Sequence, residues 1–159
     1  MKAISIWQPH ASLLMSGLHK PYETRSWKPW ANLIGQRIWI HAGKATDDLE
    51  EMMEYLCERA EGGPLDAAWE AYCAALKQMG FSHLKEMPRG CLLGTAVLAG
   101  FLPTEQLAEP GYFGNFWPGR FAWHFVEHEP LETPIPFTGK QGFFVVPDSV
   151  LVERESCHE

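Results

Sequence analysis

Gly17-Leu18-His19-Lys20-Pro21-Tyr22-Glu23-Thr24-Arg25 is the stretch on which the reading of this chain turns. It sets a lysine, a carboxylate and a guanidinium within six positions, with Trp27 just beyond. The glycine is a natural stop for a short helix over Ala11–Ser16, because a helix commonly ends on a residue in the left-handed conformation. Pro9 suits the first turn of that helix, where its missing N–H costs nothing. Before it, Lys2–Trp7 alternates and is rich in β-branched and aromatic residues, so it reads as a strand. After it, Tyr22–Trp27 reads as a second strand. Side chains alternate along a strand, so Glu23, Arg25 and Trp27 share one face and Tyr22, Thr24 and Ser26 the other. Lys20 lies at the turn leading in, so all three charged groups are expected at one cleft.

Outward from this stretch, Arg37–His41 reads as a strand with Ile38 and Ile40 on one face. Two helices follow, an insert over about residues 46–80. Thr46 or Asp47 caps the first, which carries the stripe Leu49, Met52, Met53 and Leu56. Glu61-Gly-Gly-Pro64 breaks the chain. Leu65, Trp69, Tyr72, Leu76 and Met79 stripe the second helix, which stops at Gly80. These stripes read as core contacts. Cys91–Leu102 and Phe121–His128 are strands, Pro134-Ile-Pro136 an extended edge segment, and Phe143–Val146 a last strand. Pro110–Arg120 is a loop: two prolines and three glycines among four rings cannot form a regular element. Its rings are expected to tuck against the body, with a binding lid as the other reading. Many short strands at both ends, without strand–helix alternation, predict an α+β fold built on a small mixed β-barrel.

The 159 residues predict a single domain, 1–159, long enough to bury a core. A net charge of −7 excludes a protein that coats nucleic acid without selectivity. The charge is uneven, however. Residues 1–44 hold six basic side chains and one acidic, a net of +5, and the remainder carries −12. A positive face on an acidic body can select an anion, although chance segregation gives the same pattern. The four cysteines show no CxxC spacing and no secretory leader is read, which predicts a reduced, cytoplasmic protein. No metal-ligand set and no cofactor motif is read. His124 and His128 would stand roughly 13 Å apart along a strand, too far to share an ion. Gly139-Lys140-Gln141-Gly142 lacks the spacing and following helix of a phosphate loop. Cys91–Leu102, the longest apolar stretch, is too short to cross a membrane.

Gly17, Lys20, Glu23 and Arg25 resemble the G-x-K-x-x-E-x-R hallmark of the ASCH domain family, among the PUA-like β-barrels, with one extra residue between Gly17 and Lys20. Ile6-Trp7-Gln8-Pro9, Thr24–Trp27, Ile40–Lys44, Trp123, Pro134–Pro136 and Gly139–Phe144 are similar to its flanking strands. The resemblance covers most of the chain outside residues 46–89. It implies a PUA-like barrel with a short N-terminal helix and a helical insert. It also implies RNA or nucleotide binding in a cleft beside the motif. Some relatives hydrolyse N4-acylated cytidines and others cleave RNA.

Within such a cleft Arg25 offers a planar fork for a phosphate or base edge, and Glu23 an acceptor for an exocyclic amine. Lys20 offers a point charge for phosphate, and Trp7 or Trp27 a ring for stacking. Gln8 and Lys44 complete the candidate binding residues. The plainer reading is that Glu23 pairs with Arg25 or Lys20 and pins the wall. For catalysis the candidates are Lys20 and Glu23. The resemblance implies a lysine followed three positions later by a threonine, but here that position holds Glu23, and Thr24 faces away. Three readings stay open: an RNA- or modified-nucleotide-binding module; a small hydrolase; and an accessory protein whose acidic insert docks a protein partner.

Overall fold

The computed structural model describes residues 1–45 and 64–150, side chains of 64–66 excepted. The first helix expected in the insert, with its cap and stripe, lies outside these residues.

The elements in order are β1 (Lys2–Ile6), α1 (His10–Met15), β2 (Tyr22–Arg25), β3 (Arg37–Ala42), α2 (Pro64–Gln78), β4 (Cys91–Pro103), β5 (Phe121–Pro136) and β6 (Phe143–Val145). One mixed sheet holds all six strands in the order β2-β5-β4-β3-β1-β6. β1 runs parallel to β3, and the other pairs are antiparallel. The architecture is α+β, as expected.

The sheet curls into a half-barrel, and side chains close it. Trp123 of β5 stacks on Phe143 of β6, with ring centres 5.5 Å apart, although three strands separate β5 from β6 in the sheet order. Arg25, at the end of edge strand β2, donates through Nη2 to the Ser5 carbonyl of β1 at 2.6 Å. The alternation read in β1 and β3 holds. Ile4, Ile6, Ile38 and Ile40 point inward with Leu14, Trp123, Phe125 and Phe143. Ala3 and Trp39 point outward to a second cluster with Phe144 and Leu92. Burying each large apolar side chain contributes about 1.5–3 kcal/mol, so the inner cluster is the main source of cohesion.

β5 is longer than expected. Its second half includes the segment Pro134–Pro136, paired with β4 from Pro130↔Gly94 to Pro136↔Cys91. Prolines survive there because β2 pairs only with Phe121–His124, which leaves the other edge of β5 without a ladder that needs their N–H. A bulge at Glu127 (φ 49°) interrupts the alternation between His124 and His128. α2 packs Tyr72 and Ala75 on Leu13 of α1, with Phe113 of the long loop alongside. Among the described residues no helix is long and apolar enough to cross a membrane.

Candidate functional site

α1 is only six residues, yet Ala11, Leu13, Leu14 and Met15 are all buried, which anchors the turn into β2. Gly17 ends it at φ +67°, and a Cβ there would press on the His128 ring at 3.2 Å. Both facts favour glycine at this point of the motif. The extra motif residue is absorbed in the turn after it, where Leu18 stands exposed. The chain then enters β2 with Lys20 turned inward.

Lys20, Glu23 and Arg25 meet. Lys20 is 2% exposed and Glu23 7%. Lys20 Nζ donates to the Phe113 carbonyl at 2.6 Å and lies 3.4 Å from Glu23 Oε2. Arg25 Nε stands 3.0 Å from Glu23 Oε1, but its N–H is not aimed at that oxygen, so the contact is an ion pair without a good hydrogen bond. Burial alone would push the Glu23 carboxyl up. Lys20 and Arg25, with His10 behind them, outweigh it and hold the group below its ordinary value. Burial pulls the Lys20 ammonium down, against the pull of Glu23. One buried carboxylate between two cations leaves a local excess of positive charge.

Two hollows open beside this trio. The smaller, about 400 Å³, is walled by Trp7, His10, Glu23, Arg25, Trp27 and Arg120, among others. The larger, about 1120 Å³, runs past Lys44, Arg89 and the segment 136–142. Ser5, Trp7 and Arg25 line both. Trp7 is 49% exposed and leans on Gly43, where a Cβ would come within 2.9 Å of the indole.

The long loop covers β2 and roofs the smaller hollow. Asn115 N–H donates to Thr24 Oγ1 at 3.0 Å, and Arg120 donates to the carbonyls of Thr24 and Asn115. Its rings divide. Phe113 tucks against Tyr72, with ring centres 4.7 Å apart, and Phe116 is half-buried. Tyr112 and Trp117 stand in solvent, Trp117 at 76% exposure.

Compared with solved structures, the chain is similar to the ASCH protein of Zymomonas mobilis, at a TM-score of 0.51 and 17% identity over 98% of this chain and 93% of that one. Two single-residue variants of that protein align with TM-scores of 0.53, at 17% and 16% identity. They cover 98% of this chain and 94% and 96% of theirs. The fold is that of an ASCH domain. No family model matches the chain, and no curated protein matches it.

The candidate residues of this ASCH fold separate into groups. Lys20, Glu23, Arg25, Trp7 and Trp27 border the smaller hollow. Trp27 also packs edge-on against Trp123 and Phe143, so its ring serves the core as well. Lys44 lies in the larger hollow. Gln8 reaches neither. It is fully buried, donating to Ser12 Oγ at 2.7 Å and the Pro88 carbonyl at 2.8 Å and accepting from Ser12 N–H. It therefore pins α1 to the chain ahead of β4. Lys20 Nζ already has two partners, which leaves one of its three N–H donors for a ligand.

The sequence reading did not single out His10 and Arg120. His10 opens α1, and its Nδ1 is closed to solvent without a hydrogen-bond partner among the described residues. Burial, helped by the charge of Lys20, pushes this imidazole down to about 3. Its position directly after Pro9, on the helix that ends at the motif glycine, was the available signal. Arg120 closes the loop, and nothing in its neighbourhood in sequence marked it.

Proposed function

We propose that this chain binds a nucleotide unit, in RNA or as a modified nucleotide, with the base in the smaller hollow beside Lys20, Glu23 and Arg25. The observation that carries this reading is a hollow of about 400 Å³ that joins an exposed indole, a fixed carboxylate and two guanidiniums. That volume falls in the range of small-ligand sites. Trp7 supplies a stacking face, Glu23 an acceptor for an exocyclic amine, and Arg25 and Arg120 donors for base edge or phosphate. The lysine next to Glu23 keeps the carboxylate ionised and aimed. A cytoplasmic setting goes with such a ligand.

Thermal shift with ribonucleosides, their 5′-monophosphates and short single-stranded RNA tests the reading. At least one ligand is expected to stabilise the protein. Trp7→Ala should weaken that ligand by about 1–3 kcal/mol, the worth of one base–ring stack. No stabilisation of a folded protein by any of them, or an unchanged affinity in Trp7→Ala, would overturn it.

One observation favours a hydrolytic reading in second place. Burial draws Lys20 toward its neutral form, which can take a proton. Thr24, expected to face away, is among the residues that line the smaller hollow, and its hydroxyl accepts from the Asn115 N–H. Turnover of N4-acetylcytidine, lost in Lys20→Met, would support it. Docking of a protein partner on the acidic insert is the third proposal, and a partner lost only on editing residues 46–80 would favour it.

A further inference from the structure

The larger hollow carries chemistry that the base site leaves unused. Arg25, Lys44, Arg89 and Lys140 line it, and among the described residues no Asp or Glu does. Such a wall stands out in a chain of net charge −7. Cations on protein surfaces are commonly matched by carboxylates, as Arg37 is here by Glu127 and Glu129. Lys44, Arg89 and Lys140 form no ion pair with any described residue. The stem of Lys44 packs over Gly90, which keeps it on the rim.

A second observation is independent of these charges. The segment 138–142 crosses the floor of the same hollow, and none of its backbone N–H groups donates to a described residue. Gly139 is seated directly over the His41 ring and Ser5 Oγ, where a Cβ would overlap both, so any side chain here would lift the segment off the barrel. His41 is held in turn, with Nδ1 2.8 Å from Ser5 Oγ and Nε2 2.9 Å from the Phe137 carbonyl. A carbonyl only accepts, so Nε2 carries the proton and Nδ1 accepts from Ser5. The segment is thus fixed from below, with its amides unspent. Amides and cations that have no partner among the described residues, gathered around one concavity, form a site for a phosphate oxygen. The Walker spacing that the sequence lacks is not required for this, because the cations come from three separate parts of the chain.

We propose that the larger hollow is the phosphate lobe of the nucleotide site. The base would sit in the smaller hollow, the ribose at the Ser5–Trp7–Arg25 neck, and the phosphate among Lys44, Arg89, Lys140 and the 138–142 amides. The ligand class is therefore a phosphorylated nucleotide, free or within a strand, rather than a bare nucleoside. This rests on the base-site reading above.

The test compares affinities of the four ribonucleosides, their 5′-monophosphates and the 5′-hydroxyl tetranucleotide ACGU, for the full chain and for Lys44→Ala/Arg89→Ala/Lys140→Ala. A circular dichroism melt confirms that the variant folds. The phosphorylated ligands are expected to bind at least tenfold more tightly than the matching nucleosides. The triple variant should erase that advantage and leave nucleoside affinity unchanged. A tighter monophosphate assigns the lobe to a terminal phosphate, and a tighter tetranucleotide assigns it to a strand. Nucleosides that bind as well as their phosphates would overturn the phosphate lobe and leave the base site standing. So would a phosphate advantage that survives the triple substitution. Binding of none of these ligands would overturn both readings.

Discussion

At the scale of single residues, the site rests on charges withdrawn from water. Lys20 and Glu23 are buried together, and removing one partner of such a pair commonly costs about 3–5 kcal/mol, because the other charge is stranded. Lys20→Met should therefore lower stability by more than a surface change. The double variant Lys20→Met/Glu23→Leu should lose less than the sum of the two single variants, as read by a double-mutant cycle in urea. His10 gives a pH signature. Its folded value, about 3, lies below its unfolded one, so the unfolded chain takes up the proton first. The associated stability is complete above about pH 6.5 and drains away as pH falls toward 3. Between pH 7 and pH 5 the loss from this group is at most about 2 kcal/mol. His10→Gln should remove that part of the slope, measured as the change in urea midpoint between the two pH values. The shared face of Glu23 and Arg25 was legible in the sequence, since strand alternation alone sets it. The depth of Lys20 was not. A lysine after a turn ordinarily reads as solvated, and its burial depends on a carbonyl supplied by Phe113, far along the chain.

At the scale of elements, the long loop is what the sequence described least well. Its composition excluded a regular element but did not reveal where it lands. It lands on β2 through Thr24, whose hydroxyl and carbonyl both hold it. Thr24→Val should cost about 1 kcal/mol, the net worth of one such hydrogen bond. It should also speed proteolytic cleavage within residues 111–119, read by mass spectrometry of the first fragments. The division of its rings follows from the same anchoring. Phe113, on the α2 side of the Asn115 anchor, meets Tyr72. Trp117 is held through its backbone, its N–H donating to Asn115 Oδ1 and its carbonyl accepting from Thr104 Oγ1, so its ring stays in solvent. The segment 138–142 answers to a different constraint. Gly139→Ala would drive a methyl into His41 and Ser5 and should cost about 1–3 kcal/mol, as overpacking does. The length of β5 was also hidden, because its prolines read as a separate segment when one edge of the strand is left unpaired.

At the scale of the whole molecule, an acidic protein presents a cationic cleft, and ionic strength should show it. If three phosphates of a single strand are engaged, affinity falls with a log–log salt slope of about −2. Raising salt from about 50 to about 200 mM would then weaken RNA binding roughly 20-fold. Filter binding across that range checks the figure, and a flat response would remove phosphate from the interface. The uneven charge was visible in residues 1–44, but Arg89 and Lys140 lie outside them. Pairing of β3 with β4 brings Arg89 to Lys44, and the segment after β5, seated over His41, brings Lys140 to the same hollow. Strand count and alternation gave the α+β class in advance. Closure could not be read ahead, since it depends on rings and a guanidinium reaching across the gap.

That guanidinium has a second consequence. Arg25 fastens β2 to the Ser5 carbonyl on the far side of the seam while its edge faces both cavities. Any occupant that engages Arg25 also loads the clasp of the barrel. Occupancy and breathing of the seam therefore share one latch, and a bound guest should slow amide hydrogen exchange along β2 ahead of every other strand.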